Sequence, residues 1–121
     1  GDSKAPEVVA KVRQSVRPHD RVLVLLDSCH TKTHVLAELT AYSPLVTPGS
    51  YIVVMDGIMS DLVGVPGSDS DWSWNNPLAA VREFVAAHPE FVVEEPAFAF
   101  SESKGTRRVT YWPSGFVKRI A

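Results

Sequence analysis

Hydrophobic positions in this chain group into continuous runs and helical stripes. Arg21-Val-Leu-Val-Leu-Leu-Asp27 and Ser50-Tyr-Ile-Val-Val-Met-Asp56 are unbroken apolar stretches that each end in aspartate. Runs of this length without polar alternation read as strands buried on both faces. Between them, residues 32–42 carry Val35, Leu36, Leu39 and Tyr42 at helical spacing, and Pro44 and Thr47-Pro48-Gly49 break the chain before the second strand. An earlier helix is predicted from Pro6 to Val16, with Val8, Val9, Val12 and Val16 on one side. Asn76-Pro77 opens a further helix to His88: asparagine caps the end, and proline follows where no N–H is missed. That helix buries Leu78, Val81, Phe84 and Val85. Phe91–Glu95 reads as a third strand and Arg108–Trp112 as a fourth, antiparallel to it across the loop 96–107. Pro113-Ser-Gly115 then turns the chain into Phe116–Ile120.

The resulting order is helix, strand, helix, strand, helix, strand, strand. A strand, helix and strand of these lengths form a right-handed crossover, so the first two strands should be parallel. Parallel strands align their carboxyl ends, and open α/β sheets place their sites at that edge. Asp27 and Asp56 are therefore expected at one rim, on backbones roughly 4.8 Å apart if the strands are neighbours. Two carboxylates so placed suggest a hard-metal or acid–base site. The stretch Gly57–Asn76 follows directly, rich in glycine and serine and holding Trp72 and Trp74. A connection this long is usually functional or disordered. Its two tryptophans are read as a lid over the site, with anchoring of the loop to the core as the alternative.

Composition narrows the classes. The 121 residues make one domain at most, and 45% hydrophobic content is ordinary for a globular core. A formal charge of -2, with basic residues scattered, argues against a protein that binds nucleic acid by neutralising phosphates. No apolar run approaches the ~20 residues that span a bilayer, and no signal peptide opens the chain. The single Cys29 excludes an internal disulfide and fits a reducing, cytoplasmic setting. The start at Gly1-Asp2-Ser3, directly before a helix, reads as the middle of a domain.

The string Leu26-Asp-Ser-Cys-His-Thr-Lys-Thr-His-Val-Leu-Ala-Glu-Leu39 resembles the motif of the cephalosporin hydroxylase family. That family comprises S-adenosylmethionine (SAM)-dependent O-methyltransferases, rhamnosyl and macrolide-sugar methyltransferases among them. Tyr42-Ser-Pro-Leu-Val46, Pro48-Gly-Ser-Tyr51, Pro77-Leu-Ala-Ala-Val81 with Phe84, and Pro113-Ser-Gly-Phe116 with Lys118-Arg119 also match. The resemblance covers nearly the whole chain but only the family's C-terminal half. It implies an α/β fold: the C-terminal half of a Rossmann-like methyltransferase sheet, with parallel strands, an antiparallel final strand and helices on both faces. It further implies a SAM cofactor, a small-molecule hydroxyl acceptor such as a sugar or natural product, and a homo-oligomer.

By the same resemblance Asp27 and Asp56 are Mg²⁺ ligands and His30 is the base that takes the acceptor's proton. Two departures stand out. The family's acidic pair after the second strand is Met55-Asp56 here, and methionine is a poor ligand for a hard cation. The family's glycine-rich cofactor loop has no counterpart, so the sheet should leave its first helix and first strand partly uncovered. His34, one helical turn beyond His30, is expected to pack over the site. The alternatives are a capping role for Asp27, a turn role for Asp56 beside Gly57 and local hydrogen bonding for His30. For the whole, they are a non-catalytic methyltransferase-like interaction module and a metal-dependent hydrolase.

Overall fold

The computed structural model describes residues 1–95 and 109–121. Helices α1 (Pro6–Ser15), α2 (Lys32–Tyr42) and α3 (Pro77–Ala87) accompany strands β1 (Val24–Leu26), β2 (Tyr51–Val54), β3 (Phe91–Val93) and β4 (Phe116–Arg119). The strands lie in the order β1-β2-β4-β3. β1 and β2 are parallel, with Leu26 opposite Val54, and β4 runs antiparallel to both of its neighbours. Two antiparallel steps restore direction, so β1, β2 and β3 run one way and β4 is inserted against them. This α/β arrangement fits part of a Rossmann-like methyltransferase sheet.

The core follows from strand alternation. Ile52 and Val54 join Leu26, Val117 and Phe91 on the face covered by Val35 and Leu39 of α2 and Ala80, Val81 and Phe84 of α3. Phe84 sets its ring edge-on to Phe91, with centroids 5.3 Å apart. Burying Phe84 fully is worth roughly 1.5–3 kcal/mol in transfer free energy. The ends of the helices are fixed as their sequences require. Thr31 accepts a hydrogen bond from the His34 amide at 3.4 Å, and Asn76 accepts one from the Ala79 amide at 2.8 Å.

Two expectations are corrected. The first strand is not buried on both faces: Leu23 and Leu25 are 53% and 57% exposed, because the described residues leave one face of β1 uncovered. The exposed leucines bear out the uncovered first strand. In α1 only Val9 is buried and Val12 is 38% exposed, as expected of a partly uncovered first helix. Residues 109–112 are not a strand; the antiparallel partner of β3 is β4. Pro113 interrupts this segment, and a turn with Ser114 at φ 55° precedes β4. Arg108 and the loop 96–107 lie outside the described residues.

Candidate functional site

The parallel register carries β1 and β2 to one rim. The Met55 amide donates to the Leu26 carbonyl at 3.1 Å, which extends the ladder one step past β2. Asp27 and Asp56 therefore leave adjacent strands side by side. Asp27 enters the short turn that brings His30 back over the rim before α2 begins. Asp56 sits at φ 58°, ψ 25°, the left-handed conformation, and starts a 3₁₀ turn at Gly57–Asp61. Asp and Asn tolerate that backbone better than other non-glycine residues.

His30 Nε2 lies 3.2 Å from Asp56 Oδ2 and 3.5 Å from Asp27 Oδ1. Neither contact has hydrogen-bond alignment, and the nitrogen is shielded from water without a hydrogen-bond partner. Proximity, rather than a directed hydrogen bond, relates the three groups. One donor atom from each lies within 4.8 Å of the others, the only such group of His, Cys, Asp or Glu among the described residues. The carboxylates remain accessible, with Asp27 60% exposed in its side chain and Asp56 39%.

His34 joins a polar network next to Asp27. Its Nε2 lies 3.0 Å from Ser3 Oγ and 3.1 Å from Ser28 Oγ, and 3.6 Å from Glu38 Oε1. Ser28 also donates to Glu38 Oε1 at 2.8 Å. This polar network braces the residue after Asp27. Glu38 is buried, with Oε2 unpartnered among the described residues. Tyr42 extends the network by donating to the Ser3 carbonyl, and burial holds its phenol above the ordinary 10.0.

The loop 57–76 folds into 3₁₀ turns at Gly57–Asp61 and Ser70–Ser73. Trp72 is half-buried and Trp74 is 63% exposed. Asn75 ties the loop to the start of α2 by accepting from the Lys32 amide at 2.9 Å. The aromatic residues that line the cavity beside Asp56 are Tyr111 and Trp112. Reading 108–112 as a strand concealed them; Trp112-Pro113, a strand-breaking pair, was the available signal. Cys29 is a free thiol 3.7 Å from Thr31 Oγ1.

A family model described as "Rhamnosyl O-methyltransferase/CmcI" matches residues 1–120. The chain belongs to this family. A rhamnosyl O-methyltransferase of Mycobacterium leprae (strain TN) is 29% identical over 104 residues, which is 82% of this chain and 43% of that protein. The chain thus spans less than half the length of this curated relative. No solved structure matches it. None of the described helices is long and apolar enough to cross a membrane.

Proposed function

We propose that this chain is the cation-holding and acceptor-facing part of a SAM-dependent O-methyltransferase acting on a hydroxyl of a sugar or other small natural product. The convergence of Asp27, His30 and Asp56 at the end of two parallel strands carries the reading, and family membership supports it. The donor set fits a hard divalent cation such as Mg²⁺ despite Met55. Mg²⁺ commonly keeps several waters and takes only one or two protein carboxylates. Asp27 and Asp56 offer those two, and their exposure leaves room for water and an alcohol. When bound, the cation supplies Lewis acidity to a hydroxyl and SAM supplies an electrophilic methyl group. Asp27 and Asp56 hold the cation at the rim, and His30 accepts the hydroxyl proton at Nε2, the nitrogen that faces both carboxylates.

No residue here is assigned to SAM, because the chain contains no glycine-rich strand-to-helix turn. That cofactor belongs, in this proposal, to the portion of the relative's length that the chain does not span. A cytoplasmic setting and a homo-oligomeric assembly complete the proposal. The test is methyl transfer from SAM to a rhamnoside by the longest natural form of the protein, with Asp27→Asn beside it. Turnover that depends on added divalent cation and falls at least about a hundredfold in Asp27→Asn is expected. Turnover that ignores both changes would remove the cation from the proposal.

A further inference from the structure

The cavity beside Asp56 has a volume of about 340 Å³ and is lined by Asp56, Thr110, Tyr111 and Trp112. Its wall is built rather than incidental. The Ile58 amide, two residues beyond Asp56, donates to the Tyr111 carbonyl at 3.1 Å. The Trp112 amide donates to Thr110 Oγ1 at 3.0 Å, and the Gly115 amide donates to the Trp112 carbonyl at 2.9 Å. The Trp112 ring tilts against Phe116 at the start of β4, with centroids 6.1 Å apart. Both glycines in this region permit close approach. A Cβ on Gly57 would come within 3.1 Å of the Pro113 carbonyl, and one on Gly115 within 2.3 Å of the Val54 carbonyl. The segment carrying Tyr111 and Trp112 is thereby fastened to the turn that carries Asp56.

Tyr111 is 69% exposed, so its ring face is open to a ligand. Its chemistry suits one ligand class. Aromatic faces carry negative partial charge and attract the positive C–H hydrogens of a saturated ring. Asp56 and Thr110 accept hydrogen bonds from hydroxyls, and the carboxylate repels anions. The volume lies at the small end of ligand sites, which run from about 300 to 1,000 Å³. Asp56 belongs both to this cavity and to the cluster with Asp27 and His30. A hydroxyl reaching Asp56 from the cavity arrives beside the proposed cation and base.

We propose that Thr110, Tyr111 and Trp112, with Asp56, form an acceptor subsite for the pyranose ring of a neutral glycoside. The acceptor role rests on the function proposed above; sugar binding at this wall does not. Saturation-transfer NMR on the full chain tests it, with methyl α-L-rhamnopyranoside as probe and glucose 6-phosphate as the anionic comparison. Saturation of the ring protons is expected with the rhamnoside and not with the phosphate. Tyr111→Ala, at an exposed position, weakens binding about tenfold, while Tyr111→Phe keeps it because the ring face remains. Equal binding by wild type and Tyr111→Ala, no rhamnoside signal at millimolar concentration, or preference for the phosphate would each overturn the subsite. Asp27→Asn separates the two proposals. If it abolishes cation binding and leaves rhamnoside binding intact, both stand; rhamnoside binding without any cation binding by wild type sinks the methyltransferase reading alone.

Discussion

At the scale of single residues, the two aspartates differ in what they do for the fold. Asp27 is well exposed and its side chain makes no hydrogen bond among the described residues, so Asp27→Asn should remove cation binding and leave stability within about 0.5 kcal/mol. Asp56 also supplies a left-handed backbone. Asp56→Asn keeps that conformation and loses the charge, whereas Asp56→Val adds roughly 1–2 kcal/mol of backbone strain. Chemical denaturation of the two variants separates the effects: equal midpoints for Asn and Val at this position would contradict the strain. Asp27 and Asp56 were readable because each ends an apolar run. Their joint approach to His30 was not, since it depends on the turn that folds His30 back over the rim. Tyr111 escaped notice because an alternating Arg-Val-Thr-Tyr-Trp stretch mimics a strand until Pro113 is weighed.

At the scale of elements, the inserted strand β4 holds the sheet together, and its entry depends on Gly115. Any side chain there would meet the Val54 carbonyl at 2.3 Å, the strand that leads to Asp56. Gly115→Ala should therefore cost about 1–3 kcal/mol and weaken cation binding with it. Unchanged thermal stability in that variant would show that the two strands separate easily. A second device spans β2, β4 and the end of β3. Tyr51 donates to Glu94 Oε1 at 2.5 Å, and Lys118 donates to the same oxygen at 2.9 Å. The Tyr51 bond, then Lys118, holds the Glu94 carboxyl below its ordinary 4.5. The bond to Glu94 in turn holds the Tyr51 phenol above 10.0 and the Lys118 amine above 10.5. A depressed carboxyl gives stability above its unfolded value and loses it as pH falls; the raised phenol and amine lose theirs as pH rises. The melting-temperature gap between wild type and Glu94→Gln should be widest between pH 4.5 and 10.0 and close on both sides. A gap independent of pH would show that the trio contributes no charge-linked stability. The role of Glu94 is not legible from the sequence, because its partners come from two other strands.

At the scale of the whole molecule, helix α2 and the parallel β1–β2 pair were legible from apolar runs, caps and turn residues, while the reversed strand was read at 108–112 and lies at Phe116–Arg119. The inserted position of β4 was not legible from its own residues, since strand order depends on long-range pairing that the family resemblance alone implied. The open side of β1 has a consequence of its own. A cleft of about 490 Å³ runs along it, lined by Val12, Val16, Leu23, Leu25, Glu38 and Tyr42 among others. Unpaired edges with apolar side chains promote association. Sedimentation should show concentration-dependent self-association that Leu25→Glu reduces; identical profiles would show that this edge is not used. The claim on which the proposed function depends is that Asp27 and Asp56 hold one cation beside His30. Titration calorimetry of Mg²⁺ into the full chain and into Asp27→Asn and Asp56→Asn tests it most directly. Saturable binding at one site in wild type, lost in both variants that still fold, is the expected result. No binding by wild type, or equal heats from all three proteins, would contradict it.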